Sequence, residues 1–534
     1  MTSRRQLAAV ITSFAALSVL YLAGGGFSPN GDCKPSVFQP VVILSSHSYV
    51  FTPHNAPFMF SWRLRTEHGE VALPHRAWRF EDAVPARAAL ERAGLLRVGA
   101  ERYYLSPTRV AGEYVNNYGP LPGLMLLPPF AVLHAVFGDL RLHPALIWQG
   151  AKAVVALLTV LAAVLLFATA RRWATLPQAA LVTFTFALGT VAWPVASQTP
   201  YQQSFSLPWL ALGLWGASRA QQSLRAALVC GLGFGLAVAV RAPLACYALS
   251  VGVWLLVPAA RATLCRQPEA RAAWARLLGY GLVGSVPVAL VLAYNLHFFG
   301  SLSGFGQLQR AALVHSGDAW QTPLLSGVLG LLFSPARGLL VYSPVLGFAA
   351  YGAVRVFREP RWAALRPVTV GALMIFVLYA KWTVWWGGWT YGPRLLLDVV
   401  PVACLLLLPA WERVATRSVG RVVFGVALGW SVLTAWLGAC VYDLHGWNAR
   451  EAYRVKEPRS GAVAVVFDRD AAASAALALH AGVQTIHMDV DTPRYHWRLW
   501  SWTDSPLVYY AEHFTEARAL RRTLMRLAVQ DPVR

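Results

Sequence analysis

Charged residues are scarce in this sequence. Only 13% of its 534 residues are Asp, Glu, Lys or Arg, whereas soluble domains average about a quarter. The hydrophobic share is 56%, and apolar runs of about 18 to 22 residues, long enough to cross a bilayer, recur along most of the chain. A large soluble protein with buried helices is therefore excluded.

Acidic residues are scarcer than basic ones, 25 against 46, which leaves a net charge of +21. The arginines form no single stripe; they gather in short clusters between apolar runs, as cytoplasmic loops of membrane proteins do. This distribution excludes nucleic acid as the partner and indicates a lipid bilayer. The six cysteines show no metal-ligand spacing, and no internal repeat is visible.

The apolar runs predict an all-α polytopic membrane protein with about eleven transmembrane helices. The first of these runs could equally be a cleaved signal peptide. The expected spans are 6–25, 145–170, 174–193, 203–220, 224–241, 243–260, 276–297, 339–356, 367–385, 393–411 and 421–440.

The loops between these spans alternate in charge. The short loops 194–202, 298–323 and 386–392 hold only Arg310. Because arginine-rich loops stay in the cytoplasm, we expect a cytoplasmic N-terminus and an extracytoplasmic C-terminus. The arginines on the other side are Arg4, Arg5, Arg171, Arg172, Arg219, Arg225, Arg261, Arg266, Arg271, Arg276, Arg355, Arg358, Arg361, Arg366, Arg413, Arg417 and Arg421.

Two further apolar segments must not cross the membrane if this alternation is to hold. Residues 119–138 contain four prolines, which fit a partly inserted helix on the outer face better than a regular span. Residues 324–338 form a short apolar stretch that ends in a Pro/Gly turn. Irregular backbone at membrane depth is tolerated where protein buries it.

The chain thus divides into four parts: a first transmembrane helix (1–25), an extracytoplasmic loop with juxtamembrane helices (26–144), a helix bundle (145–440) and an extracytoplasmic tail (441–534). The loop is expected to be mixed α/β, with strand-like patches over 37–51 and 58–75, a hairpin at His68-Gly69 and a helix over 81–95. The small α+β tail should have strands at 463–467 and 484–488 and helices at 470–481 and 510–528.

Three motifs carry groups suited to chemistry. The first holds Glu81, Asp82 and, after a helical run, Glu113 and Tyr118; Asp82 stands where it could simply cap a helix. The second is Phe-Ser-Pro-Ala-Arg337-Gly, in which Arg337 could instead extend to lipid headgroups.

The third motif is Gly-Gly-Trp389-Thr-Tyr391-Gly-Pro-Arg394, which leads into the span that holds Asp398. Arg394 and Asp398 are four residues apart, which predicts that they pair on one helix face. Lys381 lies near the outer end of the preceding span and could join them. The alternative is an aromatic belt with a structural ion pair.

Together these motifs bring carboxylates and fixed cations to the same, outer face. Arginine forks bind phosphate oxygens in pairs, and a carboxylate can take a proton from an attacking hydroxyl. The combination suits phosphate-linked chemistry outside the cytoplasm.

At this point the sequence resembles the GT-C family of membrane glycosyltransferases, in particular its bacterial protein O-mannosyltransferase-like and lipid A aminoarabinose transferase-like branches. The elements that carry the resemblance are Asp82-x-x-Pro-Ala-Arg, Gly-Glu113-Tyr-x-x-x-Tyr118-Gly-Pro, Phe-Ser-Pro-x-Arg337-Gly and Gly-Gly-Trp-Thr-Tyr-Gly-Pro-Arg394. The resemblance covers about residues 80–440.

The resemblance implies an inverting transfer of a sugar from a polyprenyl-phosphate donor to a lipid, glycan or protein acceptor. It implies Asp82 as the base, with Glu81 and Glu113 as alternatives, and Arg394, Arg337 and Lys381 as ligands of the donor phosphate. Asp398, Tyr391, Trp389 and Tyr118 would support them. No cofactor is required, although a divalent cation at Asp489 and Asp491 stays an open alternative.

Other functions are compatible with part of this evidence. The 197–203 loop lacks the second acidic residue that many family members have, which leaves room for a catalytically inactive scaffold. A flippase or transporter of lipid-linked saccharides would more often show internal repeats and charges at the midplane. A polysaccharide polymerase or ligase would share the donor. The Ala/Arg/Leu-rich, lysine-poor composition predicts a bacterial inner membrane.

Overall fold

The computed structural model describes residues 4–24, 31–56, 59–67, 69–73, 89, 92–100, 105–303, 319–456, 463–466 and 482–519. Most of these residues are helical. The described α-helices of eight or more residues are α1 (Arg4–Ala23), α2 (Lys34–Ser46), α3 (Leu121–Phe137), α4 (Pro144–Ala170), α5 (Leu176–Leu188), α6 (Gln202–Ala217), α7 (Leu224–Val240), α8 (Ala245–Leu264), α9 (Ala270–Phe299), α10 (Leu324–Phe333), α11 (Phe348–Arg358), α12 (Arg366–Lys381), α13 (Val400–Val414) and α14 (Ser418–Cys440).

The chain is a multi-pass membrane protein. Within the described residues, six helical segments are long and apolar enough to cross a bilayer: Gln6–Ala23, Ala145–Ala170, Ala242–Leu264, Ala270–Phe299, Pro360–Lys381 and Ser418–Cys440. Shorter apolar helices lie between them. Each of the other expected spans also coincides with helix, but these helices are shorter or interrupted. The expected span 339–356, for example, consists of Leu339–Tyr342, the 3₁₀ turn Pro344–Gly347 and α11.

The two apolar segments that the charge pattern set apart are both helical. α3 has Pro122 in its first turn, where a missing N–H costs nothing, and it continues through Pro128 and Pro129. α10 is followed by the turn 334–338, as expected. α3 packs on α2 at Gly123, where an added Cβ would lie 2.6 Å from the Cβ of Gln39.

The prediction of strand over 37–51 is wrong, because Lys34–Ser46 is the helix α2. The run Val41-Val42-Ile43-Leu44 has the composition of a strand. However, Pro35 fits the first turn of a helix, and burial of residues 35–42 against the bundle outweighs the local preference. The hairpin at 68–69 is confirmed: β1 (Phe60–Thr66) pairs with β2 (Gly69–Leu73), and β3 (Leu96–Ala100) adds to its other side.

Two smaller sheets complete the polar parts. β4 (Leu105–Pro107) and β5 (Tyr114–Asn116) form a hairpin. In the tail, β6 (Ala449–Lys456) lies between β7 (Val463–Val466) and β8 (Gly482–Asp489) in an antiparallel sheet. The two strands expected in the tail are therefore confirmed, whereas the central strand β6 was not predicted. The helix expected at 510–528 begins earlier, at Pro506, and residues 470–481 and 520–534 lie outside the described residues.

Arginine clusters and the polar domains occupy opposite ends of the helices. α12 runs from Arg366 to Lys381, α13 returns to Glu412, and α14 leads from Ser418 to Cys440, where the tail begins. At 1.5 Å per residue, the 16 residues of α12 extend about 24 Å. At the arginine end, Arg355 and Arg361 both contact Glu412. The opposite ends of α12 and α14 lead into the turn after Lys381 and into the tail after Cys440.

Candidate functional site

The turn that follows α12 is built on three glycines in the left-handed region. Gly387, Gly388 and Gly392 have φ values of 76°, 71° and 60°, a conformation that other residues adopt only with strain. This backbone directs the carbonyl groups of Gly387 and Gly388 towards two arginines. Residues 387–393 therefore form a turn of fixed backbone shape, the glycine turn.

Arg394 begins the 3₁₀ helix Arg394–Asp398 at the end of this turn. Its Nη1 lies 3.0 Å from Oδ2 of Asp32, and its Nη2 donates to the carbonyl oxygen of Gly387 at 2.6 Å. The guanidinium group stacks 4.2 Å from the ring centre of Tyr201. The buried Nε has no hydrogen-bond partner among the described residues. One donor of the guanidinium fork thus has no partner, next to a donor that binds the Asp32 carboxylate.

The carboxylate that meets Arg394 is Asp32, a residue that sequence reasoning missed. Asp32 lies in the 3₁₀ turn Gly31–Cys33 between α1 and α2. Its Oδ1 accepts a hydrogen bond of 2.8 Å from the hydroxyl of Tyr118, and its side chain is 33% exposed. One available signal was its position, since it is the first acidic residue after the first apolar run.

The prediction that Asp398 pairs with Arg394 is wrong. Asp398 is buried and binds Arg241, whose Nε lies 2.7 Å from Oδ2, and it accepts a hydrogen bond from Tyr379. The i,i+4 rule that motivated the prediction holds for α-helices. Residues 394–398 instead form a 3₁₀ helix, in which residues four apart no longer share a face.

Arg337 lies in a closed environment, unlike the exposed one expected for a ligand of the donor phosphate. Its side chain is 1% exposed. Its Nε donates to the Trp386 carbonyl, its Nη1 to the Ala336 carbonyl, and its Nη2 to both the Gly388 carbonyl and Oδ1 of Asn448. These bonds fix the glycine turn to the start of the tail.

We therefore expect Arg337→Gln to act on stability. The change would leave the buried carbonyls of Trp386 and Gly388 without a charged donor, at a cost of about 3 kcal/mol in the free energy of unfolding. Denaturant titration in detergent micelles measures this. Unchanged stability together with weaker donor binding would show that Arg337 contacts the phosphate after all.

The tail reaches the glycine turn through two aspartates. Trp389 donates its indole N–H to Oδ1 of Asp489 at 2.7 Å, and Trp386 donates to Oδ1 of Asp491 at 2.8 Å. The backbone N–H of Asp491 also donates to Asp489. The tail therefore holds the loop that carries Arg394.

The pKa of Asp491 is raised from 3.8 to about 6, chiefly by burial. The Trp386 hydrogen bond lowers it, whereas the nearby carboxylates of Asp489 and Asp32 raise it. Because burial disfavours the charged form, the contribution of Asp491 to stability is present below about pH 4 and is lost as the pH rises through 6.

Asp491→Asn should consequently raise stability at pH 7.5, by at most about 3 kcal/mol, because the amide oxygen can still accept from Trp386. Below about pH 4 the variant and the wild type should unfold alike. Melting curves across this pH range measure the difference. A variant that is less stable at pH 7.5 would contradict the burial argument.

The remaining expected site residues have varied surroundings. Tyr391 is buried and donates its hydroxyl to the Thr434 carbonyl, so it anchors the turn on α14. Lys381 ends α12, and its carbonyl accepts from Thr322. Glu113 lies in the turn between β4 and β5, where its N–H donates to the Val110 carbonyl. Glu81 and Asp82 lie outside the described residues.

The residues proposed for a divalent cation do not fit one well. Asp489 and Asp491 each use an oxygen to accept an indole N–H. In the described part of the chain, no group of three or more His, Cys, Asp or Glu side chains is arranged to hold a metal ion.

Comparison with solved structures finds similarity to the crystal structure of ArnT from Cupriavidus metallidurans bound to undecaprenyl phosphate, with 14% sequence identity and a TM-score of 0.45. The match covers 80% of this chain and 64% of that one. No family model and no curated protein matches the chain. The assignment of function therefore rests on this chain's own residues.

Proposed function

We propose that this protein is a GT-C-type glycosyltransferase that moves a sugar from a polyprenyl-phosphate donor to an acceptor at the extracytoplasmic face of the membrane. The observation that carries the proposal is the contact between Arg394 and Asp32. It brings a phosphate-type cation and a carboxylate together where membrane helices meet polar domains. In the proposed topology both groups would face the phosphate of a lipid at the outer bilayer surface.

The proposed topology has about eleven spans, a cytoplasmic N-terminus and an extracytoplasmic tail. The arginine-rich helix ends support this orientation. The location would be a bacterial inner membrane. In this orientation the 3₁₀ turn of Asp32, the glycine turn and strand β8 all face outward.

Arg394 would hold the phosphate of the donor. The fork binds a carboxylate oxygen through Nη1, and its buried Nε has no partner among the described residues. Guanidinium groups bind phosphate oxygens in pairs. An arriving phosphate would compete with Asp32 for the guanidinium. Donor binding would then release the carboxylate for its own role in the transfer.

Asp32 would act as the base. The acceptor hydroxyl or amine attacks the anomeric carbon of the sugar from the face opposite the phosphate, and its proton passes to the Asp32 carboxylate. The bond between the anomeric carbon and the phosphate oxygen breaks, and both electrons leave with the polyprenyl phosphate. Arg394 stabilises the charge that develops on this leaving group. The sugar ends with inverted configuration.

The test is consumption of donor by purified wild-type protein in proteoliposomes. A panel of radiolabelled polyprenyl-phosphate sugars, with membrane lipid and glycan acceptors, should yield one sugar that is transferred with equimolar release of polyprenyl phosphate. Movement of an intact lipid-linked sugar across the bilayer, without release of polyprenyl phosphate, would instead identify a flippase.

A further inference from the structure

Arg241 is a buried arginine at the junction of α7 and the 3₁₀ turn Ala242–Leu244, and its side chain is 7% exposed. Its Nε donates to Oδ2 of Asp398 at 2.7 Å. Its Nη2 donates to the Tyr379 hydroxyl at 2.8 Å, and its Nη1 donates to Oε1 of Gln202 at 3.2 Å. The fork therefore connects three separate helical segments. Sequence reasoning assigned no role to this residue.

One branch from Arg241 leads to Asp32. The Nε2 group of Gln202, at the other end of the amide from the oxygen that binds Arg241, donates to the Tyr118 carbonyl at 2.8 Å. The hydroxyl of Tyr118 in turn donates to Asp32. Gln202 thus transmits the position of Arg241 to the residue that orients the proposed base.

The other branch leads to Arg394. Asp398 ends the five-residue 3₁₀ helix that Arg394 begins. The backbone carbonyl of Asp398 accepts a 2.9 Å hydrogen bond from the Tyr247 hydroxyl, which fixes this helix end. Because Arg394 contacts Asp32, the two branches close into a ring.

We propose that Arg241 is a positioning residue that holds Asp32 and Arg394 in register through this ring of Gln202, Tyr118 and Asp398. The inference rests on the proposed function. Burying a charge is costly unless it is fully paired, and here two of the pairing groups, Gln202 and Asp398, lead to the site. An error of about 1 Å in the position of catalytic groups can lower the rate about 100-fold.

Arg355 provides a matched control. It is also 7% exposed, and it pairs with two partly exposed carboxylates, Glu359 and Glu412. These partners lie at the arginine-rich end of the bundle, away from the ring. Replacing Arg355 therefore removes a guanidinium of the same burial, together with its ion pairs, without changing the site.

The first readout is kinetic. Arg241→Gln should lower kcat about 100-fold while it changes the KM for donor by no more than about threefold. Gln202→Ala should have a similar effect, and the double variant should be no worse than the poorer single variant within about twofold. Arg355→Gln should combine multiplicatively with either change. The proposal would be overturned if the kcat losses of Arg241→Gln and Gln202→Ala multiplied in the double variant. It would also be overturned if Arg355→Gln lost as much kcat as Arg241→Gln.

The second readout does not depend on activity. Cys33 is adjacent to Asp32 and 1% exposed, so in a chain whose other cysteines are replaced, its reaction with a small thiosulfonate reports how firmly this turn is held. Labelling should accelerate at least about tenfold in Arg241→Gln and in Gln202→Ala but not in Arg355→Gln. Unchanged labelling in Gln202→Ala would exclude the ring even if Arg241→Gln failed to fold. Absence of sugar transfer by the wild type would refute only the proposed function.

Discussion

Replacing Asp32 with Asn is expected to lower kcat for sugar transfer by about 10²- to 10⁴-fold, the usual contribution of a general base. The amide has the same shape and can still accept the hydrogen bond from Tyr118, but it cannot take the acceptor's proton. The KM for donor should stay the same or fall, because Arg394 no longer has a competing anion. Steady-state kinetics with varied donor separate the two constants.

Asp139→Asn is the control for this change. Asp139 is likewise paired with an arginine, Arg141, at 2.7 Å, and its side chain is 30% exposed, close to the 33% of Asp32. Its carboxylate also accepts from Ser45, outside the site. Equal losses of activity in the two variants would mean that loss of a surface ion pair, and not of a base, explains the effect.

Replacing Arg394 is expected to weaken donor binding. Loss of two charge-assisted hydrogen bonds costs about 3 kcal/mol, so Arg394→Ala should lower kcat/KM for donor at least about 100-fold. Arg394→Lys keeps the charge but loses the planar fork and its stacking on Tyr201, so it should recover only part of this loss. Donor titrations and direct binding of polyprenyl phosphate measure both variants.

Arg141→Ala, which removes the other partner of the control pair, should leave donor binding unchanged. A donor affinity that is equal in Arg394→Ala and the wild type would remove Arg394 from the phosphate site. If Arg394→Ala lowered kcat without changing donor binding, Arg394 would contact the phosphate only in the transition state.

The positions of the helices could be predicted because they depend on composition over long windows. Apolar runs and the arginines between them give the spans and the order of the loops. The charge of the loops and the Pro/Gly content also distinguish the segments 119–138 and 324–338 from regular spans. The interruption at Ser343-Pro344, in contrast, depends on a local turn inside a run whose composition is uniformly apolar.

The main contact of the site could not be predicted from local spacing. Asp32 and Arg394 are separated by 362 positions in the chain, and their contact depends on how α2 and the glycine turn pack. Local spacing instead suggested a pair between Arg394 and Asp398. That pairing fails because the backbone is 3₁₀ and because Arg241, distant in sequence, binds Asp398 more directly.

The contact between the tail and the glycine turn could not be predicted either. Trp389 donates to Asp489 at the end of strand β8, and Trp386 donates to Asp491, two residues later. Sequence reasoning named these two aspartates as an alternative cation site and did not connect them with the glycine motif. No local motif indicates the connection, because the tail reaches the glycine turn only through tertiary contacts.

The central claim is that the carboxylate beside Arg394 performs the chemistry. It is tested most directly by measuring sugar transfer from the same polyprenyl-phosphate donor with Asp32→Asn, Asp82→Asn and Glu113→Gln at equal protein levels. We expect Asp32→Asn to lose transfer while the other two variants retain it within about threefold of the wild type. Transfer that survives in Asp32→Asn but is lost in Asp82→Asn would contradict the account and make Asp82 the base.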